Sequence, residues 1–372
     1  MKVSRIALVL ASTVVTTLAL TGCGGGGVEL ALPAATPTPE KVFVTAPLTG
    51  IKYEEGTAEA NGLVGPAVSC KVDNSEAARP QQNLNKTDIV FDEMVEGGLT
   101  RLVAVFHSQI STLDADAKAI GVAPVRSIRP MDPDIIAPFG GIVCYSGGQQ
   151  KFVNMMQATG LYNATETTED GKGTFKRLSN RYAPHNVQVD VKLLASAHPE
   201  LAAPQQAFDF ATSLEAATAT TSGNPVKRLS VSFPSALAEW VPNADNTAWL
   251  RIQDGEAHKD SATKEQIRAT NIVVMDVKED RSYADAKYGN VPKAVMIGKG
   301  KAWVFTGGKY VDANWSKSSQ TSRIILTDAT GAAINLAPGN TWVELKPLDP
   351  EGKLTIVAGA SASPSASPTA KK

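Results

Sequence analysis

Residues 88–109 read DIVFDEMVEGGLTRLVAVFHSQ, and after a short polar loop residues 119–130 read AIGVAPVRSIRP. Two apolar runs rich in β-branched residues meet at Gly97-Gly98. Both glycines can adopt positive φ, so the pattern predicts a β-hairpin with a two-residue turn. That turn pairs Glu96 with Leu99, Met94 with Arg101, Asp92 with Val103 and Val90 with Val105. Side chains alternate faces with period two. Arg101 is therefore expected beside Asp92 and Glu96, with Glu93 on the opposite face near Leu102. The plain reading is a cross-strand ion pair; the sharper one is a carboxylate and a guanidinium held at the mouth of a pocket.

Working outward, Lys2 and Arg5 precede an apolar run from Ile6 to Leu20, closed by Leu20-Thr21-Gly22-Cys23. A basic start, a short apolar stretch and small residues before a cysteine read as a bacterial lipoprotein signal. Residues 1–22 are then the signal, and Cys23 becomes the lipidated first residue, carrying acyl chains such as palmitate. A transmembrane helix needs about 20 apolar residues, and this run is shorter and ends in four glycines. The expected location is the cell membrane, lipid-anchored on its extracytoplasmic face.

Residues 23–44 are expected to form a flexible tether and residues 349–372 a disordered tail. Between them lie an N-terminal α/β domain at 45–217, with a mixed sheet and the hairpin, and an antiparallel β-rich domain at 225–348. The expected class is α+β. Thr218–Asn224, small and polar, marks the boundary. Helices are predicted at 149–159, at 191–197 with Asn186 or Asp190 as cap, and at 208–217.

Hydrophobic residues make up 43% and charged residues 20%, an ordinary globular body. Without the signal the chain carries 34 basic against 37 acidic residues, so no basic excess points to nucleic acid. Neither CxxC nor HExxH occurs, so neither a metal site nor a cofactor is expected. Cys70 and Cys144 sit in predicted buried strands; a disulfide and two buried thiols are both open.

Several long stretches resemble the YerB-like family of candidate bacterial lipoproteins. They are residues 72–101 (VDNSEAARPQQNLNKTDIVFDEMVEGGLTR), 123–130 (APVRSIRP), 183–186 (APHN), 251–277, 298–315 and 337–345. The likeness runs from about Pro47 to Pro347. It implies an N-terminal α/β part followed by a β-rich part, and it brings no reaction, substrate or catalytic residue.

The polar residues suggest a site. Arg126 and Arg129 bracket Ser127-Ile128, and Arg79, in a loop before Pro80, and Arg101 are expected to converge on the same area near the carboxyl ends of the strands; arginine forks suit phosphate and carboxylate. Asp73-Asn74, Val125-Arg126 and Ser146-Gly147 each follow a predicted strand. If those strands run parallel, the three turns share one edge, where ligands of open α/β sheets bind. Glu93, Glu96 and His185 are supporting polar groups, and the acids could neutralise the arginines first. Asp73 and Asn74 are also ordinary turn formers, and a loop histidine beside Asn is often structural. Ser146 lacks the frame of a nucleophile elbow.

Three functions follow, in this order: a module binding an anionic envelope polymer or lipid carrier; an assembly factor contacting an envelope protein; and an acid/base hydrolase using Glu93, Glu96 or Asp73 with His185.

Overall fold

The computed structural model describes residues 41–112, 120–283 and 289–360. Residues 1–40, with the signal, Cys23 and most of the tether, lie outside the described residues, as do 361–372. The first half supplies strands β1 (Val68–Asp73), β2 (Ile89–Met94), β3 (Thr100–Phe106), β4 (Ile142–Cys144) and β5 (Tyr162–Ala164). The second supplies β6 (Asn224–Phe233), β7 (Ala236–Pro242), β8 (Trp249–Gln253), β9 (Asn271–Val277), β10 (Gly298–Thr306), β11 (Lys309–Lys317), β12 (Thr341–Pro347) and β13 (Lys353–Ala358).

These strands do not form two sheets. They join in one, in the order β8-β7-β6-β11-β10-β9-β12-β2-β3-β1-β4-β5, with β13 also paired to β6. The junction is β12, which runs parallel to β9 on one side and to β2 on the other. The second half is therefore not purely antiparallel. With 39% strand and 14% helix, the fold is mostly β, a mixed sheet with antiparallel strands and few helices.

The sequence explains why β1, β2 and β3 sit in the interior of the sheet. Every residue in them is buried, so both faces are covered. Ile89, Phe91, Val103 and Val105 point to one face with Val273, Met275, Val343 and Leu345; Phe152 and Met156 of the helix Gln150–Gln157 pack in the same core. Val90, Leu102 and Ala104 point to the other face with Ile272, Val274 and Trp342, where they meet Leu229, Val231, Trp240 and Trp249. Each fully buried Phe, Val or Leu side chain contributes about 1.5–3 kcal/mol.

The hairpin forms, but one residue out of the expected register. Met94 faces Thr100, Glu93 faces Arg101 and Asp92 faces Leu102. The Val95 N–H bonds the Leu99 carbonyl at 2.8 Å, so the loop is Glu96-Gly97-Gly98, three residues rather than two. Gly97 and Gly98 take φ of 71° and 73°, as the turn requires. A Cβ on Gly98 would also lie 2.5 Å from Pro234. Since the side-chain period is two, the one-residue slip moves Glu93 onto the face of Arg101 and Asp92 off it.

Other expectations change too. Residues 208–217 are irregular, and a short helix, Thr218–Ser222, occupies the expected boundary instead. Gly121–Val122 joins a separate small sheet with Val187–Asp190 and Phe175–Arg177. Phe43–Thr45 pairs with Lys52–Glu54 inside the expected tether, and Lys353–Ala358 is a strand inside the expected tail. The helix Val191–Ser196 is capped by Asp190, whose carboxylate accepts from the N–H groups of Lys192 and Leu193. Cys70 and Cys144, register partners on β1 and β4, form a disulfide with Cα atoms 4.6 Å apart.

Candidate anion-binding cleft

The site grows from the corrected register. Glu93 on β2, Arg101 on β3 and Asp73 on β1 lie side by side at one end of the sheet, because Glu93 pairs with Arg101 and Arg101 with Asp73. Lys71 shares their face two residues earlier. Its ammonium bridges Glu93 and Asp132, with 2.8 Å to Asp132, and all three side chains are fully buried or nearly so. Burial pulls the Lys71 pKa down to about 8 against the pull of Asp132. Because Lys71 takes Glu93, Arg101 is left without an acid.

A second segment closes the wall. Val125 bridges Val72 of β1, and the Arg126 N–H bonds the Lys71 carbonyl at 2.8 Å. On its other side, the Ser146 N–H bonds the Arg126 carbonyl at 3.1 Å, and the Ile128 N–H bonds the Gly147 carbonyl at 3.0 Å. The segment 125–128 is thus strung between the ends of β1 and β4, which run parallel, although the shared-edge argument asked for three parallel strands and Gly121–Val122, before Val125, lies in a separate small sheet.

Asp73, Glu96, Arg101, Arg126, Arg129 and His185 line one open cleft of about 890 Å³. Asp73 Oδ2 lies 3.0 Å from Arg126 Nε and 2.7 Å from His185 Nδ1. The Arg126 contact is an ion pair without hydrogen-bond alignment. Arg129 Nε donates to Glu96 at 2.7 Å, and its Nη1 donates to the Ile128 carbonyl at 2.8 Å. Burial would raise the Asp73 carboxyl, but the Ser75 N–H, Arg126, Arg101 and His185 outweigh it and hold it below the usual value. Burial opposes the same outcome at Glu96, where Arg129 prevails. Both acids are therefore ionised.

Arg101 differs from its neighbours. It is only 9% exposed, and among the described residues it makes no ion pair; one hydrogen bond, Nη1 to the Ser127 carbonyl at 2.9 Å, occupies it. Burial, then the nearby Arg129, lowers its pKa to about 10 despite Asp73. A guanidinium has five N–H donors, so Arg101 keeps donors to spare in a wall already rich in positive charge.

The cleft does not gather every residue the sequence suggested. Glu93 is sealed beneath it with Lys71. Arg79 turns away to pair with Asp254 at 2.8 Å. Asn74 is buried among Thr100, Gln81 and Gln253. Ser146 and Gly147 hold the arginine segment through backbone bonds and do not line the cleft. Lys71 escaped sequence reading, although a lysine inside the run VSCKVD was a visible signal. Among the described residues no cluster of His, Cys, Asp and Glu could hold a metal ion.

The opposite face of the sheet carries a second charged cluster that sequence reading also missed. Arg251 Nη2 lies 2.5 Å from Asp92, and its Nη1 lies 2.6 Å from Glu344. Its guanidinium sits 5.1 and 4.5 Å from the Trp240 and Trp342 rings, and Trp240 Nε1 donates to Glu344 at 2.8 Å. Nothing of this cluster reaches solvent in any quantity. A smaller cavity of about 150 Å³ is lined largely by apolar side chains such as Phe91, Phe139 and Phe208; of its charged groups Asp134 pairs with Lys293, Arg323 pairs with Asp209, and Lys317 donates to the backbone carbonyls of Ser319, Gln320 and Ser322.

Residues 48–204 match the N-terminal domain of the DUF3048 family, and residues 229–343 match its C-terminal domain, both described as protein of unknown function. The chain is 25% identical over 312 residues to YerB of Bacillus subtilis (strain 168), named as a candidate lipoprotein, covering 81% of this chain and 86% of that one. The crystal structure of Bacillus subtilis YerB superposes with a TM-score of 0.69 at 22% identity, covering 84% of this chain and 99% of that chain, which shows a shared fold. With both domain matches in order along one continuous sheet, the chain belongs to the DUF3048 family.

Proposed function

We propose that this protein is a lipid-anchored cell-envelope lipoprotein whose cleft binds a phosphate or carboxylate group of an envelope polymer or lipid carrier. One observation carries the reading: Arg101 is buried in the wall of an open cleft, between two further arginines, with no acid of its own. Asp73 and Glu96 lie near Arg101 but neither pairs with it directly; a buried cation without a direct ion pair is costly, and an incoming anion relieves that cost. The fork geometry of arginine suits planar or tetrahedral oxyanions. The anchor rests on the signal ending at Cys23 and on the lipoprotein name of the relative from Bacillus subtilis.

Calorimetric titration with inorganic phosphate, with succinate and with vesicles containing anionic phospholipid tests the site. Arg101→Ala and the double variant Arg126→Ala/Arg129→Ala should each bind at least about tenfold more weakly than wild type, a loss of about 1.4 kcal/mol. Wild type that binds none of these probes at low salt sinks the reading. Cys23→Ser followed by cell fractionation tests the anchor; unchanged retention in the membrane argues against it.

A further inference from the structure

We propose that the same cleft hydrolyses a carboxylic ester borne by the anion it holds, with His185 as general base and then general acid. The inference rests on the anion-binding reading and adds chemistry to it. Its starting point is the contact between His185 Nδ1 and Asp73 Oδ2 at 2.7 Å, inside the cleft wall. Asp73 is ionised, so Nδ1 carries the proton and donates it, which leaves the Nε2 lone pair facing away from the acid. Among the described residues Nε2 has no hydrogen-bond partner, and the His185 side chain is 23% exposed. Asp73 is itself fixed by the Ser75 N–H at 3.1 Å and by Arg126. It acts as a positioning residue that sets the imidazole tautomer.

The register partner of Asp73 is Arg101, and Arg101 and His185 line the same cleft, so the spare guanidinium donors and the base face one volume. A base beside an oriented cation is the arrangement that acyl transfer to water needs. Ser75 Oγ lies in the same wall, but no hydrogen bond joins it to His185, so water is the nucleophile. His185 Nε2 takes a proton from water as the water oxygen bonds to the ester carbonyl carbon. The C=O electron pair moves to oxygen and is held by the Arg101 N–H groups. Collapse re-forms C=O and breaks the bond to the alcohol oxygen, which takes the proton back from Nε2. The products are a carboxylic acid and an alcohol, and no other reactant is required.

The chemistry also favours a carboxylic ester over a phosphodiester. In-line displacement at phosphorus puts attacking and leaving oxygens on opposite sides. One imidazole cannot serve both, and Glu96 is tied to Arg129, which holds its carboxyl below the usual range and disfavours it as the second acid. At a carbonyl carbon both oxygens sit on one tetrahedral centre within reach of one histidine.

The test uses the full chain purified in detergent, 4-acetoxybenzoate as the anionic ester, phenyl acetate as the uncharged control, and 4-acetamidobenzoate as an uncleaved analogue for calorimetry. Wild type should release 4-hydroxybenzoate with kcat/KM at least tenfold above that for phenyl acetate. His185→Gln should lose about a hundredfold or more in kcat while still binding 4-acetamidobenzoate with wild-type affinity. Asp73→Asn should lower kcat with no loss of that affinity, which a merely structural role would not produce. Turnover unchanged in His185→Gln overturns the proposal. Binding of 4-acetamidobenzoate without any turnover by wild type overturns it too, and leaves the anion site standing. Absence of both binding and turnover removes the two together.

Discussion

One sheet carries a buried arginine on each of its faces, and the two are used in opposite ways. Arg251 is saturated: two carboxylates, a glutamine, a histidine and two tryptophan faces surround it, and it is fully buried. Arg101 is as deeply set within a few per cent but spends one bond on a backbone carbonyl and opens onto a cleft. The lesson concerns donors rather than burial. A buried guanidinium with its acids beside it holds strands together, and one without them keeps N–H donors unspent, which is what the proposed anion site draws on.

The sharpest way to break this contrast is Arg251→Met. It strands Asp92 and Glu344 in a dry interior, where an unpaired charge costs about 3–5 kcal/mol. Urea denaturation should show that loss, and a change below about 1 kcal/mol would mean that the cluster is not the clamp its contacts imply.

Next in size is the opposite pH response of the two faces. Burial and the neighbouring Glu344 push Asp92 up to about 7 against the pull of Arg251. Its contribution is therefore full below the unfolded value near 3.8 and is lost as pH rises through 7. Asp73 is held below its usual value, so its contribution is present above about 3.8 and is lost as pH falls through the lower folded value. In urea midpoints measured from pH 3 to 8, Asp92→Asn should remove a decline toward pH 8. Asp73→Asn should cost stability at pH 7, and that cost should shrink as pH falls below about 3.8. Slopes of the same sign would dissolve the distinction.

Arg101→Ala comes third, at about 1 kcal/mol of stability, the worth of one hydrogen bond. It strands no acid, because Glu93 belongs to Lys71. A loss of 3 kcal/mol or more would reveal an acid dependent on Arg101. Smallest is Arg79→Ala, which breaks a partly exposed pair with Asp254. Thermal melting should register at most about 0.5 kcal/mol, and phosphate titration should be unchanged, since Arg79 stands outside the cleft.

Sequence alone found the hairpin and the helix Gln150–Gln157, and it named Arg101, Arg126, Arg129, Asp73, Glu96 and His185 among a wider set of polar candidates, of which the fold puts Arg79, Asn74, Glu93, Ser146 and Gly147 elsewhere. Those are local signals: a glycine pair between β-branched runs, and charged residues next to strand ends. It missed the register because Gly97-Gly98 fits a two-residue turn and a three-residue loop equally well. The choice is made by Val95 bonding Leu99, and by Gly98 lying against Pro234 from the other half. It also missed every partnership that spans the chain. Asp92, Arg251 and Glu344 each look like a stray charge in an apolar strand, and nothing in their spacing tells that the three meet. Arg79 has the same chemistry as Arg126, and only the fold decides which wall each one faces.

The place of β12 has a consequence for how the molecule comes into being. Strand β2 is among the first to be synthesised, yet one of its two neighbours is Thr341–Pro347, near the end of the chain. Until that segment leaves the ribosome, the backbone groups of residues 89–92 on that side lack their partner strand and an apolar edge stays open. Such an edge invites pairing with other chains. The two halves are thus bound in time as well as in space: neither is a finished object while the other is still being made, and a chain stopped before Thr341 is not a shorter protein but an incomplete sheet.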